Sequence, residues 1–380
     1  MENTVPHYMP MIDPVMLLPL VRQATGVETI EVTDWQYHEL QGGTQGGVYR
    51  VSGPARNTMA SLPWSLILKI PTTTPNLGDP FGGTREPVVY RSGFLRQLPG
   101  MLRAPRCFGV VEQADGGHWI WLEDVRDDSP QPWLLAQYGR TAFLLGQFNG
   151  AFLAERRLPS WPWVASTPIV RELVDRFLPA GDQFQAGVDY GRAHYDFSPN
   201  VATRLAQIYA ERHWYLNALD HLPQTLCHGD ADSRNFLMRR LADGQEEVVA
   251  IDWAWVGRGA VGQDVGRLVN NAVIRGQIAP ADLEVLEEIV FTNYLHGLQD
   301  AGWQGDSRLV RYGYAASMVL AESLVVLGTT FGALMEPRYH ALLMQVFVGS
   351  IDDILARMQP LLAYHVRLAQ EVRASGATLS

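Results

Sequence analysis

The stretch HGDADSRNFL, residues 228–237, sets His228, Asp230 and Asn235 in the pattern H-x-D-x-x-x-x-N. A tight loop between the aspartate and the asparagine brings both side chains to one face, where a proton acceptor and a ligand for a hard cation can converge on one reacting group. Just downstream, EEVVAIDW, residues 246–253, reads as an apolar strand that ends in an acid, Asp252. Asp243 and Gly244 supply a hairpin turn between this strand and Phe236-Leu237-Met238, so the hairpin returns Asp252 next to Asn235. A carboxylate and an amide oxygen at neighbouring strand ends make a site suited to magnesium, which takes few protein ligands and completes its shell with phosphates and water. His228 reads as a brace for the loop rather than a proton carrier, and Asp264, in GQDVGRL, as the cap of a helix starting near Val265.

Working outward, the thirty basic residues include a single lysine, Lys69. It lies in SLILKIP, flanked by Leu66, Ile67, Leu68 and Ile70, the short apolar run expected of a buried strand. A charge there needs a partner or a ligand, and lysine is a compact point charge on a slender stem that reaches a phosphate oxygen in a narrow space. Before it, HELQGGTQGGVYRVSG places Gly42, Gly43, Gly46 and Gly47 between two strand-like segments, a hairpin whose backbone amides could approach phosphates unobstructed. After it, a Pro/Gly-rich loop leads into REPVVYRSGFLRQL, with helical spacing from about Pro87 and Glu86 placed to pair with Lys69. The run HWIWLEDV, ending at Val125, is an apolar strand closing on acids.

Taken in order, a glycine hairpin, a strand lysine, a helix glutamate, a connecting strand, an H-x-D loop and a metal aspartate follow one another as they do in kinases. Over residues 40–270 the sequence resembles the aminoglycoside phosphotransferase and choline kinase-like family, small-molecule kinases with the protein-kinase-like fold. The resemblance implies an α+β two-lobed fold, with an N-terminal lobe of antiparallel sheet and one helix, residues 1–125, and a larger, mainly helical lobe, residues 126–380. It implies ATP and Mg2+ as cofactors and transfer of the γ-phosphoryl group to a small-molecule alcohol. By position, Asp230 would be the catalytic base and Asn235 and Asp252 the metal ligands. Lys69, with Glu86, would hold phosphates under the hairpin of Gly46 and Gly47, and Glu123 and Val125 would offer main-chain groups to adenine.

Composition narrows the alternatives. At 380 residues the chain is long enough for about two domains, and 47% hydrophobic against 18% charged residues permits large cores. A net charge of -10 without a basic stripe argues against a nucleic-acid partner. Cys107 and Cys227 are too few for a disulfide framework, which fits a reducing, cytoplasmic setting, and the N-terminal residues lack the pattern of a secretory signal. The apolar stretch from Ala315 to Met335 contains Glu322 and reads as a buried helix, so no membrane partner is expected. Two rival functions remain: a metal-dependent phosphoesterase using His213, His221, His228, Asp230 and Asp232, and a silent nucleotide-binding scaffold.

Helical spacing is expected over about 131–157, 201–219, 281–298, 312–330 and 339–362. Between the first two, residues 158–199 are rich in Pro, Gly and aromatics. Trp161, Trp163, Tyr190, Tyr195 and Phe197 there could line an acceptor pocket, with Asp175, Asp182 and Asp189 meeting a cation. Trp253 and Trp255 stand closest in sequence to the metal strand and could face a quaternary ammonium acceptor.

Overall fold

The computed structural model describes residues 12–40, 46–57, 61–75, 81–154, 158, 160–164, 167–195 and 198–379. Gly42, Gly43 and Phe197, and the side chain of Tyr195, lie outside the described residues. The chain divides into two units, Met1–Arg96 with Ala104–Arg126, and Gln97–Arg103 with Asp127–Ser380.

Alternation of apolar side chains builds the smaller unit. Its antiparallel sheet holds β1 (Glu31–Val32), β2 (Gln36–Glu39), β3 (Gly47–Arg56), β4 (Ser61–Ile70), β5 (Cys107–Glu112) and β6 (His118–Glu123), in the order β1-β3-β4-β6-β5 with β2 also on β3. Successive side chains of a strand point to opposite faces. Trp64, Leu66 and Leu68 of β4 are therefore buried on one face, and Ile67 and Lys69 are half-buried on the other. Helix α1 (Pro14–Thr25) covers the buried face with Leu17, Leu20 and Val21, which join Val51, Trp119 and Trp121 in one core. It starts on Asp13, whose Oδ1 accepts the Met16 N–H at 2.7 Å, with Pro14 in the first turn. The apolar run around Lys69 thus serves a sheet covered by helix on one face, not a strand buried on both. Helix α2 (Arg85–Arg91) is short, because the chain turns at Gly93, φ 76°, before a 3-10 turn at Phe94–Gln97.

Residues 97–103 belong to the larger unit because their backbone pairs there. The Arg103 N–H donates to the Val248 carbonyl at 3.1 Å, and the Ala250 N–H donates back to Arg103 at 2.7 Å. The unit's helices are α3 (Leu135–Ala154), α4 (Ile169–Phe177), α5 (Gly181–Tyr195), α6 (Pro199–Asp220), α7 (Gln263–Ile274) and α8 (Leu283–Asp300), followed by a continuous helix, α9, from Ser307 to Leu334, then α10 (His340–Phe347) and α11 (Ile351–Leu379). Two short antiparallel pairs complete it: β7 (Gln224–Cys227) with β10 (Gly257–Ala260), and the hairpin of β8 (Phe236–Arg240) and β9 (Glu246–Ala250).

Two departures from the sequence reading have local causes. No helix was expected between residues 158 and 199, yet α4 and α5 fall there; the prolines Pro168 and Pro179 sit between or before these helices rather than inside them. The helix expected over 339–362 is broken at Val348, φ 55°, and Gly349, φ 130°, a backbone no helix can pass through. The buried helix expected from the Glu322 stretch is found: α9 meets the length and hydropathy of a membrane span, and 78% of its most apolar window is buried inside the unit. Its middle, Met318–Val326, is a π-helix, with the Leu327 N–H reaching back five residues to the Glu322 carbonyl.

α3 and α8 approach closely through glycines. A Cβ at Gly297 would run into the carbonyl of Phe143, and one at Gly146 into that of Tyr294. Gly297→Ala should therefore cost about 1–3 kcal/mol of stability through overpacking. A lowered urea midpoint checks this; an unchanged midpoint would show that the two helices have room to part.

Candidate active site

β7 ends at Cys227 and feeds the chain into a loop that one carboxylate organises. Asp264 Oδ2 accepts the His228 N–H at 2.8 Å and Asp264 Oδ1 accepts the Gly229 N–H at 2.8 Å, while Asn149 Nδ2 donates to Asp264 Oδ2 at 3.0 Å. Asp264 lies in the first turn of α7 but its side chain does not cap that helix, whose N-cap is Gly262. The capping role expected of it is thus corrected: the acid serves the loop. Gly229 sits at φ 82°, and a Cβ there would meet the Trp255 carbonyl, so only glycine makes this turn at this place.

His228 faces inward. Its Nε2 donates to the Ile251 carbonyl at 3.0 Å and its Nδ1 accepts the Asp230 N–H at 3.3 Å, so both ring nitrogens hold backbone. The imidazole braces the loop, as expected, and neither nitrogen is left for a metal. Asn235 Nδ2 donates to the Asp230 carbonyl and to Asp230 Oδ2, each at 3.0 Å. Both donors of the amide being committed to Asp230, its carbonyl oxygen is the group a cation would take. The Ile251 N–H donates to the Asn235 carbonyl at 2.9 Å, and so the β8–β9 hairpin, turning at Gly244 (φ 83°), sets Asp252 beside Asn235. Asp252 adopts φ 61°, ψ 67°, the left-handed region, a conformation aspartate tolerates better than most residues but one that surrounding structure must impose. Two hard oxygen donors from adjacent segments fit a magnesium ion.

Sequence reasoning missed the charges behind this loop. Arg267, from α7, places Nη1 2.8 Å from Asp230 Oδ1, and its Nε lies 3.1 Å from Glu322 Oε1 on the π-helical turn. Asn270 Nδ2 donates to the other Glu322 oxygen at 2.9 Å. Burial disfavours the guanidinium's charge, but Glu322 and Asp230 outweigh it and hold Arg267 above its ordinary pKa. Asp232 is buried beside Arg275 and Arg234; burial pushes its carboxyl up, and the two arginines overcome this and hold it down at about 2. The one signal in the sequence was Glu322 itself, a carboxylate inside an apolar run that had to find a cation.

In the smaller unit Lys69 Nζ lies 2.7 Å from Glu86 Oε2, with Glu86 1% exposed. Gly46 sits at φ 80° against the Ile70 carbonyl, where a Cβ would clash, and Gly47 opens β3 opposite Ile70. The Glu123 N–H donates to the Arg106 carbonyl at 2.8 Å and its Oε2 accepts the Arg106 N–H at 3.1 Å, so side chain and amide are both engaged within the sheet. Val125 is buried just beyond.

The aromatic residues proposed for the acceptor behave differently. Trp253 and Trp255 are 0% exposed; Trp253 packs edge-on against Phe148 and His228 and donates its Nε1–H to Ala250. They support the loop from below and present no face to a ligand. Trp161 stacks on Trp163, and Tyr190 on His194. Asp175, Asp182 and Asp189 are exposed. The phosphoesterase cluster does not form: among the described residues no three His, Cys, Asp or Glu side chains are grouped to hold a metal, and His221 is turned to the Asn217 carbonyl.

A profile of the phosphotransferase enzyme family matches residues 85–290, more than half of the chain, and the chain belongs to that family. The protein is therefore an enzyme of phosphoryl transfer. Among solved structures, amicoumacin kinase hAmiN, in complex with AMP-PNP, Ca2+ and Ami, is 15% identical, with 95% of this chain and 96% of that one covered at a TM-score of 0.52. An aminoglycoside phosphotransferase from Alicyclobacillus acidocaldarius is 15% identical, with coverage of 89% and 92% and a TM-score of 0.54. These similarities establish the kinase-like α+β fold. None of the curated protein sequences matches the chain.

The Arg267 bridge yields a separable prediction. Arg267→Met strands Glu322 in the core and should cost about 3–5 kcal/mol. Adding Glu322→Leu should recover most of that stability in denaturant titrations without restoring turnover, because Asp230 still lacks its guanidinium. Recovery of both together would make the bridge structural only.

Proposed function

We propose that this enzyme transfers the γ-phosphoryl group of ATP to a hydroxyl of a small molecule. The observation that carries the reading is the cluster of Asp230, Asn235 and Asp252, tied together by the Asn235 amide at 3.0 Å and the Ile251 N–H at 2.9 Å. Family membership supports the reaction class, and the AMP-PNP in the amicoumacin kinase structure supports ATP as donor.

Asp230 receives and orients the acceptor hydroxyl. With Asn235 on one carboxylate oxygen and Arg267 on the other, it is held in a single rotamer, which suits alignment of the attacking oxygen. Asn235 and Asp252 are the residues that would hold Mg2+, which when bound offsets the negative charge on the phosphates. Lys69, its rotamer fixed by Glu86, is assigned to the phosphates, and the hairpin at Gly46 and Gly47 to covering them. The Glu123 N–H is spent within the sheet, so the main-chain groups assigned to adenine are the Glu123 carbonyl and the Val125 N–H.

The competing scaffold reading has no explanation for a complete set of base, metal donors and braced lysine. Asp230→Asn keeps the size and one acceptor oxygen but removes the charge, and should leave nucleotide affinity within about threefold while lowering kcat by about 10²–10⁴-fold. Lys69→Met should instead weaken nucleotide use. Calorimetric binding with acceptor-dependent ADP release reads both; an Asp230→Asn enzyme that turns over normally would reject the assignment.

A further inference from the structure

Asp124, the residue after β6, is clamped by two neighbouring strands of the smaller unit. Arg50 of β3 donates from Nε to Asp124 Oδ2 at 2.7 Å and from Nη2 to Oδ1 at 3.0 Å, and the Ser65 hydroxyl of β4 donates to Oδ2 at 2.6 Å. The sheet's register explains the meeting. Arg50 lies opposite Ile67 and Ile67 opposite Leu122, so one step beyond the Leu66–Glu123 pair sets Asp124 beside Ser65. Alternate side chains of a strand share a face, and Ser65, Ile67 and Lys69 therefore look away from α1, where Asp124 joins them. The ladder between β4 and β6 stops at Glu123. Beyond it the Asp124 side chain takes over the hold.

The position matters because of the peptides that meet there. The Glu123 carbonyl belongs to the peptide entering the Asp124 Cα, and the Val125 N–H to the peptide leaving it; these are the two groups assigned to adenine. Resting on the phosphotransfer reading above, we propose that Asp124 is the positioning residue for the base, and that by fixing both peptides it makes the enzyme select adenine over guanine. An acceptor and a donor side by side match adenine, whose edge offers an amino N–H next to a ring nitrogen that accepts. Guanine offers the reverse, a carbonyl oxygen next to a ring N–H, and sets like against like. Two polar groups are then left unpaired, which is what makes the wrong base costly. The discrimination holds only while neither peptide can turn over, and a clamped Cα between them supplies that rigidity.

Asp124 does this without touching the nucleotide. Both of its oxygens are engaged, Oδ2 twice, so the carboxylate acts through its own backbone. Stability is not its main effect either. The Arg50 side chain is 46% exposed, and an ion pair so open to water contributes little to folding. Its bidentate geometry instead fixes direction. The clamp also lies well placed relative to the phosphate end of the site. Ser65 and Lys69 are four residues apart on one strand face, about 13 Å, a span that suits the separation of base from phosphates in an extended nucleoside triphosphate.

The test is calorimetric titration of ATP and of GTP, each with Mg2+, into the full-length enzyme and its variants, and it needs no acceptor. The wild type should bind ATP at least about tenfold more tightly than GTP. Asp124→Ala should lose about tenfold in ATP affinity and about twofold or less in GTP affinity, bringing the two together. Arg50→Met combined with Ser65→Ala removes the donors while leaving residue 124 as it is, and should do the same. Asp124→Asn keeps one acceptor oxygen and should fall between. Melting curves accompany each variant, and the double variant carries the test should Asp124→Ala fail to fold. A general defect of the sheet weakens both nucleotides alike, so the ratio of the two affinities separates positioning from structure. Equal wild-type affinity for ATP and GTP, or folded variants that keep the wild-type ratio, would overturn the proposal and leave phosphotransfer intact. A wild-type enzyme that binds neither nucleotide brings down the phosphotransfer reading itself, and the proposal with it.

Discussion

One buried carboxylate holds the loop of residues 228–235 in place. Asp264 takes the amides of His228 and Gly229 together with the Asn149 side chain, three N–H donors on an acid that is 3% exposed. Burying such a charge is costly, and charge-assisted hydrogen bonds from fixed amides are what offset it. The same Asn149 donates to the Leu226 carbonyl, and its own backbone and side chain accept from Thr225 and Tyr294. The loop is thereby fastened to α3 and α8, the helices that pack most tightly through paired glycines. The turn at Gly229, the inward histidine and the direction of Asp230 follow from that anchorage.

Behind the loop, arginine manages charge where water is excluded. Arg267 bridges Asp230 and Glu322, and Arg275 with Arg234 neutralises Asp232. A guanidinium presents several donors in a fixed plane and so binds two acids at once, which an ammonium does less well. The lone lysine is found where the opposite property is useful, a slender point charge leaning on Glu86. In a chain that otherwise uses arginine for every positive charge, the distribution of the two residues follows their chemistry.

Features encoded by short, contiguous patterns were legible in the sequence. The H-x-D loop, the Asp243-Gly244 turn, the apolar β9 and the pairing of Lys69 with Glu86 each rest on neighbours in sequence or on a strand followed by a helix. What was hidden depended on tertiary packing. Trp253 and Trp255 stand beside the metal strand in sequence, but a strand end can point a side chain into the core as readily as outward, and both went inward. Arg267 looked like one more helix arginine until α9 brought Glu322 to it. The helices α4 and α5 were masked by the prolines around them, although IVRELVDRF carries a clean apolar stripe, with Ile169, Val170, Leu173 and Val174 all buried.

On the proposed function, the nucleotide's phosphates reach this enzyme through a cation held by Asn235 and Asp252. Calorimetric titration of ATP into the wild-type enzyme and Asp252→Ala, each with Mg2+ and with EDTA, tests it without an acceptor. The expected result is wild-type binding at least about tenfold tighter with Mg2+, a difference that Asp252→Ala loses. Equal affinity with and without the ion in the wild type, or an undiminished magnesium effect in the variant, would contradict it.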